Sequence, residues 1–181
     1  RFRGYRQPWW PRRAPHLLEL FLGHAWIEKR HNVIPTQSKV VSLPTLNSEQ
    51  ASVVKAIAAA LHQFKTWVLH GITGSGKTEV YLQVISAVLQ QDRQVLILVP
   101  EINLTPQLEK GFRDRFPALS VICLHSKLNT TERTQNWLLA QAGKTNIILG
   151  TRLAIFTPLP KLGLIIVDEE HDSSYKQQDG F

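Results

Sequence analysis

The sequence predicts an α/β fold in which a mostly parallel sheet carries helices on both faces. Three observations predict it. Short, continuously apolar runs, such as residues 95–99 and 164–167, alternate with segments of helical period. A glycine-rich stretch, residues 71–78, stands between a β-rich run and an amphipathic helix. The last apolar run ends in carboxylates, Asp168, Glu169 and Glu170. Strands alternating with helices in this way bury a parallel sheet between two helical layers, joined by right-handed crossovers.

Each element has its own justification. Residues 1–16 carry Pro8, Pro11 and Pro15 and no apolar periodicity, and read as irregular. Leu17, Leu18, Leu20, Phe21, Leu22, Ala25, Trp26 and Ile27 cluster as a helix ending near Gly23, or as a short strand. Residues 31–46, with Pro35 and Pro44, read as a linker or extended wing. The domain boundary is therefore expected near Leu46, dividing a basic N-terminal segment over 1–45 from a main domain over 46–181. Asn47 suits a helix cap, with Gln50 at capping-box spacing, and Val53, Val54, Ile57, Ala58 and Leu61 follow at helical spacing. Residues 66–70 predict a strand leading into the glycine loop. Val80, Tyr81, Val84, Ile85, Val88 and Leu89 make one apolar helix face. A strand over 95–99 stops at Pro100, and a helix over 104–116 stops at Pro117. Residues 121–124 predict a strand, and 131–142 a helix stopped by Gly143. Residues 147–149 and 164–167 predict two more buried strands. No internal repeat is present.

Composition bounds the function classes. The chain has 181 residues, 43% of them hydrophobic, enough for one domain with a real core and a remnant. A single cysteine, Cys123, excludes an intramolecular disulfide and a multi-cysteine zinc site. No run of about 18 apolar residues predicts a membrane span, so a cytoplasmic protein is expected. The net charge of +7 is concentrated at the start: residues 1–45 hold 8 Lys/Arg against 2 Asp/Glu, and residues 46–181 hold 13 against 12. Arg1, Arg3, Arg6, Arg12 and Arg13 are interleaved with Phe2, Tyr5, Trp9 and Trp10, which suits a nucleic-acid backbone or a solvated tail. The absence of methionine, and a chain stopping at Asp179, Gly180 and Phe181, predict a piece of a longer protein.

Residues 71–78, Gly71, Ile72, Thr73, Gly74, Ser75, Gly76, Lys77 and Thr78, fit the phosphate-loop pattern G-x-x-x-x-G-K-[ST]. Glycines let the backbone curl so that its N–H groups face a phosphate, and the helix that follows adds its positive end. Lys77 reaches the β and γ phosphates, and Thr78 offers its hydroxyl to Mg²⁺. Glu79 completes the stretch expected to bind nucleotide.

A buried strand ending in Asp168, Glu169, Glu170 and His171 is the expected second half of such a site, because ligands sit at the carboxyl ends of parallel strands. Asp168 is expected to hold the Mg²⁺ shell, and Glu169 to polarise a water in line with the γ phosphate. Glu170 is the alternative base. His171 is placed to couple the site to neighbouring loops. The carboxylate pair favours hydrolysis of ATP over transfer to a small acceptor. No guanine-reading N-K-x-D stretch is present.

With the stretches 71–82, 99–107, 150–158 and 167–178 in order, the sequence resembles the superfamily 2 helicases, and among them the replication-restart helicases of primosome assembly. The resemblance spans residues 46–181. It implies a RecA-like lobe, the first of two in a motor, and an ATP-dependent 3′-to-5′ DNA helicase acting on single-stranded and forked DNA with replisome and primosome proteins. It implies that Gln50 reads adenine, a role standing beside the capping-box reading. It assigns Pro100, Glu101, Thr105, Thr151 and Arg152 to the single-stranded DNA track. It makes residues 173–181 the start of an aromatic-rich loop, in which Tyr175, Lys176 and Phe181 contact DNA. Zinc is expected only in a cysteine-rich module outside this chain. Residues 17–35, through Gly23, Trp26, Ile27 and Glu28, resemble more weakly the end of a winged-helix region. Lys127 and Leu153 depart from the family pattern, which expects glycine and a small polar residue there. The alternatives are a nucleotide- or DNA-binding module without motor activity, and another phosphate-loop ATPase; no L-S-G-G-Q stretch favours the latter.

Overall fold

The structure, a computed structural model, describes residues 45–72, 74–101 and 103–176. The chain divides into two units, Arg1–Thr36 and Gln37–Phe181, and every described residue belongs to the second. The basic aromatic arm and the winged-helix remnant lie outside the described residues, as do Thr73 and Phe181.

Among the described residues the chain forms α1 (Ser48–Ala59), α2 (Lys77–Leu89), β1 (Gln94–Leu98), α3 (Pro106–Arg115), β2 (Val121–Leu124), α4 (Thr130–Gln141), β3 (Ile147–Gly150), a 3-10 turn (Arg152–Phe156), β4 (Leu162–Val167) and a second 3-10 turn (Ser173–Tyr175). The strands make one all-parallel sheet in the order β2-β3-β1-β4. The expected α/β class is the one observed.

Successive strand residues face opposite sides of a sheet, and both sides here are apolar. Val95, Ile97, Val121, Cys123, Ile147 and Leu149 pack with Ile85 and Val88 of α2 and Phe112 of α3. Leu96, Leu98, Ile122, Leu124 and Ile148 pack with Ala140 of α4 and Ala154 of the first 3-10 turn. So α3 and α4 cover opposite faces. The step from β1 to β2 crosses the sheet one way and the step from β2 to β3 returns. Covering opposite faces gives both crossovers the same hand.

Helix starts are fixed by side chains. Asn47 Oδ1 accepts from the Gln50 N–H at 2.8 Å, and Gln50 Oε1 accepts from the Asn47 N–H at 3.0 Å. Asn129 and Glu132 repeat that reciprocal cap at the start of α4. Thr105 Oγ1 accepts from the Leu108 N–H at 3.2 Å, and Pro106, which has no N–H to leave unpaired, opens α3. This cap sets the helix start later than the apolar spacing from Leu104 predicts.

One expectation fails. Residues 66–70 form no strand; Trp67 and Val68 are exposed, and the Lys65 ammonium lies 4.2 Å from the centre of the Trp67 ring. Strand preference is realised only against a neighbouring strand, and no ladder reaches this run. The far edge of β4 is likewise unpaired among the described residues, which leaves Ile165 and Val167 partly exposed.

Gln94 is polar yet buried within β1. Its Nε2 donates to the carbonyls of Ala140 and Thr145 at 3.1 and 3.0 Å, and its Oε1 accepts from the Lys161 N–H at 3.1 Å. One amide thereby joins the end of α4, the approach to β3 and the approach to β4. Gln94→Leu keeps the volume and removes all three bonds, leaving the Thr145 carbonyl and the Lys161 N–H without this partner while the Ala140 carbonyl still accepts from the Gly143 N–H. It should cost about 2–4 kcal/mol in urea unfolding, and an unchanged midpoint would show that these groups find other partners.

Candidate active site

Because the strands run parallel, the segments leaving their C-terminal ends meet along one edge of the sheet. Ladder bonds extend that edge: Asp168 N–H donates to the Leu98 carbonyl at 2.9 Å, Val99 N–H to that of Gly150 at 2.9 Å, and Thr151 N–H to that of Leu124 at 3.2 Å. Residues 99–101, 125–126, 151–152 and 168–171 share this edge.

The glycine loop enters α2 through left-handed backbone. Gly74 and Gly76 both have φ of +80°. At Gly76 a Cβ would be strained by that φ and would also strike the Gln50 side chain. Ser75 N–H donates to the Ile72 carbonyl at 3.1 Å, and Lys77 Nζ turns back onto the carbonyls of Gly71 and Ile72. No side chain caps α2. Gln50 reaches the loop as well, its Nε2 donating to the Ser75 carbonyl at 3.1 Å. With its Oε1 already in the cap of α1, both ends of that amide are engaged. An adenine contact from Gln50 would have to replace one of these bonds.

Across from the loop stands the acidic box. Burial, and then the charge of Glu169, push the Asp168 carboxyl above its usual range, while the Lys77 ammonium pulls it down. Of these influences the pull of Lys77 is the weakest. Glu169 sits in left-handed backbone, φ +48°, a conformation uncommon outside glycine. Its carboxylate lies 3.4 Å from His171 Nε2, and both side chains are well exposed. Tyr81, which the sequence placed on an apolar helix face, also reaches the site. Its hydroxyl donates to Thr78 Oγ1 at 3.4 Å, and burial, with the charges of Asp168 and Glu169, pushes its phenol above the usual range and keeps it neutral. The signal for it was its i+3 spacing from Thr78.

The residues expected on the DNA track occupy the same edge in different ways. Pro100 is fully buried, and its carbonyl accepts from Asn103 and Leu104, so it shapes the turn after β1. The Glu101 carboxylate is exposed and accepts from the Ser126 hydroxyl, a neighbour that the sequence did not single out. Thr105 caps α3, and Thr151 opens the first 3-10 turn. Arg152 Nη1 donates to the Lys176 carbonyl at 3.0 Å. Tyr175 Oη donates to the Asp168 carbonyl at 2.9 Å, and its ring packs on the core cluster beneath α4. Burial, followed by the nearby carboxylates, pushes that phenol up to about 12, so it stays a donor across the working pH range. Glu79, expected among the nucleotide-binding residues, pairs with Arg115 at 2.7 Å.

Among the described residues no group of three or more His, Cys, Asp or Glu side chains is arranged to hold a metal alone. Magnesium does not need one, since it keeps waters and phosphate oxygens and takes one or two protein oxygens. The Thr78 hydroxyl, in contact with the Tyr81 hydroxyl, and the Asp168 carboxylate are oxygens of that kind. The donor set fits.

The family described as Type III restriction enzyme, res subunit, matches residues 43–179. The chain belongs to that family. It is 54% identical over 138 residues to the replication restart protein PriA of Chlamydia trachomatis, covering 75% of this chain and 18% of that protein. It is 46% identical over 157 residues to PriA of Haemophilus influenzae, covering 83% and 21%. With PriA of Bacillus subtilis the identity is 44% over 143 residues, covering 78% and 18%. The chain thus spans about a fifth of the length of the curated relatives it matches. These matches bear out the resemblance read from the motifs: the chain is PriA-like, of the superfamily 2 helicase type. No helix among the described residues is long and apolar enough to cross a membrane.

The raised Asp168 carboxyl gives a signed prediction for this PriA-like lobe. A folded-state value above the ordinary 3.8 means that ionised Asp168 opposes folding at neutral pH. Asp168→Asn should therefore raise the thermal midpoint of the nucleotide-free chain at pH 7. The gain should fade as the pH falls through the folded value toward the ordinary one, where the wild-type group is protonated in both states. A constant or reversed difference across that window would contradict the placement.

Proposed function

We propose that this lobe binds Mg-ATP between its phosphate loop and acidic box, and single-stranded DNA along the neighbouring strand ends, as the first motor lobe of an ATP-dependent 3′-to-5′ DNA helicase of replication restart. The observation that carries the reading is the glycine loop that enters the uncapped start of α2 through left-handed backbone with Lys77 Nζ on its carbonyls, in a fold whose β1–β4 register sets Asp168 at the strand ends. The similarity to PriA proteins supports the replication-restart role, with forked DNA and primosome proteins as partners and the cytoplasm as the setting.

In this reading the amides of residues 71–78 and the end of α2 bind the phosphates, and Lys77 leaves the Gly71 and Ile72 carbonyls to reach the β and γ oxygens. Thr78 and Asp168 hold the Mg²⁺, which neutralises charge on the phosphates when bound. Glu169 takes a proton from the attacking water, with His171 against its carboxylate. Arg152 and Glu101 face DNA, and Tyr175 ties the loop that follows the acidic box to Asp168 itself. A second lobe, which PriA-type helicases have, completes the site. The single lobe is expected to bind nucleotide and turn it over poorly.

Lys77→Ala should lower Mg-ATP affinity in calorimetry by at least about tenfold; equal affinity would dismiss the phosphate-loop assignment. Glu169→Gln, in the two-lobed protein, should leave that affinity in place while kcat falls by about 10²–10⁴. Turnover that survives Glu169→Gln but not Glu170→Gln would move the base to Glu170. Tyr175→Phe removes only the bond to the Asp168 carbonyl, and should lower DNA-stimulated turnover while the DNA-free rate stays. A stimulation curve overlaying the wild type would reduce Tyr175 to packing.

A further inference from the structure

We propose that Arg115 is a positioning residue for nucleotide binding: it turns the Glu79 carboxylate away from the phosphate end of α2 and cancels its charge there. The inference rests on the phosphate-loop reading above. Arg115 Nη2 lies 2.7 Å from Glu79 Oε1, and the two side chains are only 18% and 21% exposed. Arg115 stands in the last turn of α3 and Glu79 in the first turn of α2, directly after Thr78. A carboxylate suits the positive end of a helix. That same end is where the nucleotide's phosphates are to sit, and an unpaired carboxylate one residue beyond Thr78 repels them. The guanidinium removes that field. Lys77, the other cation of the turn, is taken up by the carbonyls of Gly71 and Ile72.

Stability alone does not explain the pair. Arg115 Nε is buried with no hydrogen-bond partner among the described residues. An unpaired buried donor works against folding, and a largely buried ion pair contributes little net stability over an apolar replacement.

The test measures Mg-ATP and adenosine binding to the chain by calorimetry, at low and raised salt. The variants are Arg115→Met, Arg115→Lys, Glu79→Gln and the double change Arg115→Met with Glu79→Gln. Arg115→Met should weaken Mg-ATP by about tenfold, leave adenosine unchanged, and lose part of that effect in raised salt. Adding Glu79→Gln should restore the affinity, and Arg115→Lys should retain most of it. Glu79→Gln alone should bind Mg-ATP at least as tightly as the parent, which keeps the proposal open to test if Arg115→Met does not fold. Three results overturn it: an Arg115→Met affinity equal to the parent's, an equal loss for adenosine, or a Glu79→Gln loss as large as that of Lys77→Ala. The last makes Glu79 a direct ligand. A parent chain that binds no Mg-ATP removes the phosphate-loop reading and this inference together, whereas a binding parent with an indifferent Arg115→Met removes only the inference.

Discussion

Burial of β1 between β3 and β4 is the constraint on which the other arrangements depend. All five of its residues are buried, and its register fixes both neighbours: Leu98 stands opposite Gly150 on one side and Val167 on the other. The three strands therefore finish level. The residues just past their ends, Val99, Thr151 and Asp168, are carried onto one line by the continuing ladder. A one-residue slip would turn Asp168 toward the opposite face of the sheet. The apolar faces oppose that slip from both sides, since Val95 and Ile97 are buried against α2 and α3, and Leu96 and Leu98 on the face that α4 covers. The acidic box is thus positioned by hydrocarbon packing several residues away.

How legible a feature was depended on what physical requirement wrote it. The phosphate loop was legible because left-handed backbone demands glycine, and Gly74 and Gly76 meet that demand. The sheet was legible because a strand buried on both faces must be apolar throughout. Residues 66–70 misled because Thr66, Trp67 and Val68 have strand preference, and preference without a partner strand builds nothing. The ties between motifs left no local signal. Gln50 to Ser75, Glu79 to Arg115 and Arg152 to Lys176 span 25, 36 and 24 positions. Nothing in a single sequence pairs residues so far apart. Gln50 shows the difficulty within one residue, because its capping spacing was visible and its bond to the loop was not.

Those ties have a common character. Together with shorter ties inside single segments, they pass near groups that the proposed chemistry uses. Gln50 holds a loop carbonyl beside Gly76, Tyr81 holds the Thr78 hydroxyl, and Tyr175 holds the Asp168 carbonyl. In the proposed reading the loop is already shaped before nucleotide arrives, and binding would order fewer groups than an unstructured loop requires. Lys77 is the exception. It spends its charge on the carbonyls of Gly71 and Ile72, and a phosphate must compete for it.

The same reasoning bears on how DNA and nucleotide could be coupled within a single lobe. Coupling requires an element whose equilibrium both ligands bias. Residues 168–176 have the right connections. At one end Asp168, the proposed Mg²⁺ ligand, is tied by its N–H to the Leu98 carbonyl; at the other, the Lys176 carbonyl accepts from Arg152, and Tyr175 bonds back to the Asp168 carbonyl. Between them Glu169 occupies left-handed backbone, which costs on the order of 1 kcal/mol and is released if the segment rearranges. A DNA phosphate drawing Arg152 from the Lys176 carbonyl would loosen the far end of the segment. That change would reach Glu169 through a path of only a few residues, with no need for motion of the sheet. In the proposed reading the buried β1 core fixes the line on which Asp168 stands, and the tethered, locally strained segment beside it would set when the water is activated.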